Sequence, residues 1–132
     1  MLWSQLLETG VSEVDDRNRE LFSQIDSLIC VDEVGDPQKL LDCLEESALR
    51  SFLEEEQMHE ECGYPHAEPH RRHHDSYIVA LRRMKKRLLD EGQTLGNVLA
   101  FNRVVVDGLR KHVLSSDMEF ANYYTERRVV PA

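Results

Sequence analysis

The sequence predicts an all-α protein: an up-down-up-down antiparallel four-helix bundle with an N-terminal arm and a short C-terminal helical extension. Three observations carry this. Apolar residues recur at spacings of three and four along most of the 132 residues, the spacing of one buried helix face. Nothing alternates with period two for long, so no strand is expected. Six glycines and four prolines are too few for a loop-rich chain, and they punctuate the periodic stretches.

The elements follow in order within a single domain, residues 1–132. An arm over residues 1–14 leads to a first helix over about 15–31. Asp15 or Asp16 is its expected cap, and Val14, Leu21, Phe22, Ile25, Leu28 and Ile29 form its apolar stripe. Gly35-Asp36-Pro37 reads as a stop, a cap and a proline at the first helical position. The second helix, about 37–62, carries Leu40, Leu41, Leu44, Ala48, Phe52, Glu55 and Met58 on one face and ends at Gly63, with Tyr64-Pro65 as the corner. A third helix over about 67–91 turns Tyr77, Leu81, Met84 and Leu88 inward, and Gly92 closes it. The fourth spans about 94–115 with a stripe of Leu95, Val98, Leu99, Phe101, Val105, Leu109 and His112. Phe120, Tyr123 and Tyr124 mark an extension over 117–127 that packs back on the bundle. Short connections between four helices imply antiparallel neighbours.

Bulk properties exclude several function classes. A net charge of −9 opposes a nucleic-acid footprint, which needs a basic surface. No apolar run approaches the roughly 20 residues that span a bilayer. The start MLWSQLLETG lacks the basic and apolar regions of a secretory signal. Cys30, Cys43 and Cys62 are odd in number, without CxxC spacing, which suits a cytoplasmic protein better than a disulfide scaffold. No obligate protein partner is readable.

The chemistry centres on GYPHAEPHRRHHDSY, residues 63–77. His70 and His74 are four apart, so both project from one face of the third helix and can reach one metal ion. His66 and His73 fall on other faces and read as solvent-exposed. Glu55 lies inside the apolar stripe of its helix, where a carboxylate is costly unless paired, hydrogen-bonded or bound to metal. His112 continues the fourth stripe three residues beyond Leu109. Asp117 follows by five at the helix end and can turn back toward the same centre; its alternative role is a cap for the C-terminal segment. Carboxylates and imidazoles aimed at one bundle axis form a ligand set for iron, manganese or zinc. No separate acid–base pair or nucleophile stands out, so the chain reads as non-enzymatic. Peroxidase- or dismutase-like chemistry at an open metal position is the catalytic alternative.

The motifs together resemble the hemerythrin family, specifically the single-domain bacteriohemerythrins. The resemblance is carried by LWSQLL in the arm, GVSEVDDRNRELF opening the first helix, SFLEEEQM on the second, GYPHAEPHRRHHDSY at the corner and third, and HVLSSD on the fourth. It implies a non-heme iron protein that binds O2. One iron would take His70, His74 and His112, with Glu55 and Asp117 as bridging carboxylates. The histidines expected on the second, O2-binding iron fall on Asn18 and Ser51, so both of its terminal ligands are replaced. The position four before His112, usually tryptophan in the family, is Gly108, which predicts a gap beside the site. His59, four after Glu55, shares that residue's face and is an extra ligand, a donor to a carboxylate, or an exposed histidine near a helix end.

These features predict a hemerythrin-like protein with an incomplete second site, holding one iron, or zinc, in O2-related or other small-ligand sensing, redox or metal storage. A di-iron O2 carrier whose second iron lacks histidine is the second reading. A metal-free interaction module is the third.

Overall fold

The computed structural model describes residues 3–29 and 37–129. After a single 3-10 turn at Gln5–Leu7, the helices are α1 (Ser12–Ile29), α2 (Pro37–Cys62) and α3 (Ala67–Glu91). The last arm of the bundle is a succession of α4 (Leu95–Phe101), a π-helical turn Asn102–Val106, α5 (Asp107–His112), a second π-helical turn Val113–Asp117, and α6 (Met118–Val129). The all-α bundle is as the sequence predicts. Cys30, the expected end of the first helix at residue 31 and the Gly35-Asp36 stop lie outside the described residues, as does the side chain of Ile29.

Cross-helix contacts fix the register. Arg17 meets Glu54 (3.6 Å) and Gln24 donates to Ser47 Oγ (2.8 Å), so α1 climbs as α2 descends. Between α2 and α3, Lys85 pairs with Asp42, Arg82 with Glu45 and His74 with Glu55. From α3 to the last arm, Arg87 Nε donates to Asn97 Oδ1 and Tyr77 Oη to the Val105 carbonyl, both at 2.8 Å. Each consecutive pair therefore runs antiparallel. Gly63 and Gly92 sit at the ends of α2 and α3 with φ of 66° and 89°, a left-handed backbone that a side chain would oppose.

Two boundaries and one buried face differ from expectation. Helix α1 starts at Ser12 and not near Asp15. Asp15 is buried within the first turn, where its carboxylate accepts from Thr9 N (2.8 Å), Thr9 Oγ1 (2.8 Å) and Gly10 N (3.2 Å). It ties the arm down by reaching back over the helix start, much as the acidic residue of a capping box does. At the other end, the expected C-terminal extension packs on the bundle through Phe120, Tyr123 and Tyr124, but with no break from the helix before it. Residues at the joins, Asn102, Asp107, Val113 and Met118, all keep right-handed helical dihedrals, so α6 continues the line of α5. The beginning of α4 also faces differently from its predicted stripe. Leu95 is 75% and Leu99 54% exposed, and Val98 is exposed too. The residue this turn buries is Asn97, which accepts from Arg87 and donates to the Gly92 carbonyl (2.9 Å).

Two apolar clusters fill the bundle. The larger includes Leu21, Phe22, Ile25, Leu41, Leu44, Phe52, Ile78, Leu81, Val105, Leu109 and Val113. The smaller joins Val11, Val14, Tyr64, Phe120 and Ala121. Several interior polar residues fall between the two, as Asn18 does between Val14 and Leu21 and Asp117 between Val113 and Phe120. That junction is where the candidate site lies. No helix among the described residues is long and apolar enough to cross a membrane.

Candidate metal centre

Glu55 sits on α2 between Phe52 and Met58, and His70 and His74 stand one turn apart on α3. His112 ends α5. Asp117 is five residues further, and on a regular α-helix such a pair points roughly 140° apart. The π turn resolves this. The Met118 N–H reaches back to the Val113 carbonyl, five residues earlier, which widens the turn and brings residues five apart onto one side. His112 and Asp117 therefore face the same point, as expected of Asp117, but from within one continuous helix and not from beyond its end.

The structure brings Glu55, His70, His74, His112 and Asp117 together, all buried, with one ligand atom of each within 4.8 Å of every other. Glu55 Oε1 is 3.0 Å from the Nε2 atoms of both His70 and His74. Asp117 Oδ1 is 3.0 Å from His70 Nε2 and 2.9 Å from His112 Nε2, and those two imidazole nitrogens are 3.3 Å apart. Two donors roughly 2.1 Å from a common ion and at right angles to each other stand roughly 3.0 Å apart. With separations of this order, Glu55, His70, His74, His112 and Asp117 could hold a metal ion.

Electrostatics favour a cation here. Burial and the neighbouring Asp117 push the Glu55 carboxyl up, yet hydrogen bonds from His70 and His74 prevail and hold it below the usual range. Asp117, opposed by burial in the same way, is held well below its ordinary value by His112 and His70. Burial alone would lower His70, but its hydrogen bonds to Asp117 and Glu55 raise it to about 9. Two carboxylates thus stay ionised in an apolar interior.

The surroundings treat the two halves of the site differently. His74 Nδ1 is 2.9 Å from Glu56 Oε2, a placement that would fix the imidazole's tautomer were it to ligate a metal. Phe52 stacks on the same ring with centroids 4.1 Å apart and planes within 2°. On the other side Asn18 donates from Nδ2 to Asp117 Oδ2 at 3.1 Å, so that oxygen is engaged by an amide. Ser51 is buried and lines a cleft of about 110 Å³ between α1 and α2, together with Arg17, Ser47, Arg50 and Glu54.

His66 and His73 are exposed, His66 lying 3.8 Å from Glu119 and His73 Nδ1 2.7 Å from Ser116 Oγ. His59 is not exposed: only 1% of it reaches solvent, and burial lowers its pKa to about 4. The gap expected at Gly108 is filled. A Cβ at that position would meet the Tyr77 ring at 3.7 Å, and the Tyr77 hydroxyl anchors that ring to the Val105 carbonyl inside the first π turn. Glu56, against His74, and Tyr77, against Gly108, are contacts that sequence reasoning did not assign. The signal for Glu56 was the need of His74 for a partner on its second nitrogen.

No protein-family model matches the chain. A curated protein named bacteriohemerythrin, from Clostridium acetobutylicum, is 26% identical over 128 residues, spanning 90% of this chain and 97% of that protein. In sequence over nearly its whole length, and in the buried histidine and carboxylate cluster its helices assemble, this chain is similar to a bacteriohemerythrin.

Proposed function

We propose that this chain is a hemerythrin-like protein that holds a single metal ion, iron by its resemblance, and offers an open position to a small ligand such as O2. One observation carries the single-ion reading. The three Nε2 atoms and one oxygen from each carboxylate converge on one point, while the second oxygen of Asp117 accepts the Asn18 amide. A second ion bridged by Asp117 would need that oxygen and would meet an N–H in place of a lone pair. Bound iron supplies a Lewis-acidic, redox-active centre. The chain's residues do the rest. Glu55 and Asp117 balance its charge, Glu56 orients His74, and Phe52 and Phe120 keep bulk water from the interior side.

The role read for this arrangement is sensing, redox or storage of metal or small ligand. The cytoplasm is the compartment that suits the unpaired Cys43 and Cys62. The test is anaerobic loading with ferrous iron followed by metal analysis of the full chain. One ion per chain is expected, and two would overturn the reading in favour of a di-iron centre. No uptake of iron or zinc would overturn it in favour of a metal-free module.

A further inference from the structure

Three buried ring nitrogens lack a hydrogen-bond partner among the described residues: Nδ1 and Nε2 of His59, and Nδ1 of His70. They are neighbours, since the two rings lie 4.5 Å apart between centroids at 46°. The contrast with His74 is direct. That imidazole presents Nε2 to the centre and Nδ1 to Glu56. An imidazole that gives its Nε2 lone pair to a metal carries its proton on Nδ1, and in His70 this proton faces no acceptor. Ligating histidines almost always donate that second N–H to something.

His59 stands on α2 one turn beyond Glu55, packed by Phe120 (4.3 Å between centroids) and Tyr64 (5.0 Å). Buried without a hydrogen-bonded carboxylate, it is neutral and has one lone pair to offer. As pure packing it is a poor choice, because phenylalanine would fill the same aromatic nest without burying two polar atoms. It is not among the five groups whose donor atoms lie within 4.8 Å of one another, so it is no obvious sixth ligand.

We infer that His59 is a positioning residue of the centre: it accepts the Nδ1 proton of metal-loaded His70, directly after a small ring rotation or through one water. His59 thereby selects the His70 tautomer that offers Nε2 to the ion. The inference rests on the metal-binding reading above. It gives His70 the support that Glu56 gives His74, but with a neutral acceptor supplied from α2.

The experiment compares wild type, His59→Phe and His59→Gln in the full chain, with zinc competed against a chromophoric chelator. His59→Phe is expected to weaken zinc 10–100-fold, as loss of such outer partners does. His59→Gln, which keeps an acceptor, should stay within a few-fold of wild type. The metal-free His59→Phe protein should melt at or above the wild-type temperature, so affinity and apo stability move in opposite directions. X-ray absorption should count the same number of imidazoles in all three. Should His59→Phe fail to fold, nitrogen-15 NMR of the zinc-loaded wild type remains decisive, with a slowly exchanging Nδ1 proton expected on His70. Wild-type affinity in His59→Phe, or absence of that proton signal, would reduce His59 to packing. Loss of one imidazole on substitution would make it a ligand, and either result overturns the inference. Failure of the wild type to bind any ion would instead remove the metal reading itself.

Discussion

The two halves of the centre are equally buried and differ in what their polar groups can offer. On the α3 and α5 side, His70, His74 and His112 each present an imidazole Nε2 to the carboxylates, and an imidazole nitrogen can serve as a lone pair. On the α1 and α2 side, Asn18 and Ser51 are buried too, but Asn18 presents an N–H to Asp117. A donor there stabilises the carboxylate without any ion, whereas the histidine side leaves two ionised carboxylates facing titratable imidazoles. Burial of polar groups at a bundle junction thus does not define a metal site. What matters is whether the donating nitrogen can give up its proton to become a lone pair, which an imidazole can and an amide cannot.

The strongest way to break this comparison is to truncate one residue on each side. His74→Ala should weaken ion binding by more than about 100-fold, because it removes a donor and strands Glu56. Ser51→Ala should leave stoichiometry and affinity close to wild type. Isothermal titration with zinc distinguishes them, and equal losses would mean that both halves ligate. In the same protein, chelating an ion held at 100-fold excess over its dissociation constant should cost about 2.7 kcal/mol, a fall in Tm of roughly 10 °C.

The converse change builds the missing half. Asn18→His with Ser51→His replaces a donor by two lone pairs and frees Asp117 Oδ2, and metal content should rise from one to two ions per chain. If the wild type already held two, the double substitution would change affinity and not stoichiometry. Asn18→Ala alone is a useful control, since it frees the oxygen without adding a ligand and should leave the count at one.

A smaller effect separates the halves by pH. In the metal-free protein His70 is raised from 6.5 to about 9. Its contribution is therefore fully present below pH 6.5 and lost as pH rises through 9. Asp117 and Glu55 are lowered from 3.8 and 4.5, so their contributions hold above those values and fade as pH falls below them. His59, lowered from 6.5 to about 4, loses its contribution across that interval. Apo stability should peak near pH 6.5, which thermal melts across pH 3–10 would show. Ion binding displaces the His70 proton, so apparent affinity should rise about tenfold per pH unit between 7 and 9. A flat profile would mean that no such proton is held.

Much of this was legible in the sequence, and the reasons for the exceptions are specific. The apolar spacings located four helices, and Glu55 within a stripe marked the interior polar layer. The π turn was hidden because VLSSD carries no composition signal for it. Its trace was geometric: two inward ligands five apart cannot share a face of a regular α-helix. Leu95, Val98 and Leu99 misled because their spacing is helical while Asn97, with two specific bonds, wins the interior. His59 looked exposed because it sits near the end of α2, and only the overlying Phe120 and Tyr64 bury it.

Gly108 gives the mildest and sharpest test of how the junction is filled. The Tyr77 ring lies over this glycine, at ordinary contact distance from an added Cβ, and its dihedral is not left-handed. A methyl group therefore fits without strain, and alanine also lowers the conformational entropy of the unfolded chain. Gly108→Ala should stabilise the protein by up to about 1 kcal/mol, a rise in Tm of roughly 4 °C, with ion binding unchanged. Gly108→Trp should do the opposite, because an indole needs the space that Tyr77 holds and would detach its hydroxyl from the Val105 carbonyl. If tryptophan were accepted without loss while Tyr77→Phe was also silent, the ring over Gly108 would be incidental. The tyrosine would then contribute nothing to the shape of the π turn beside the centre.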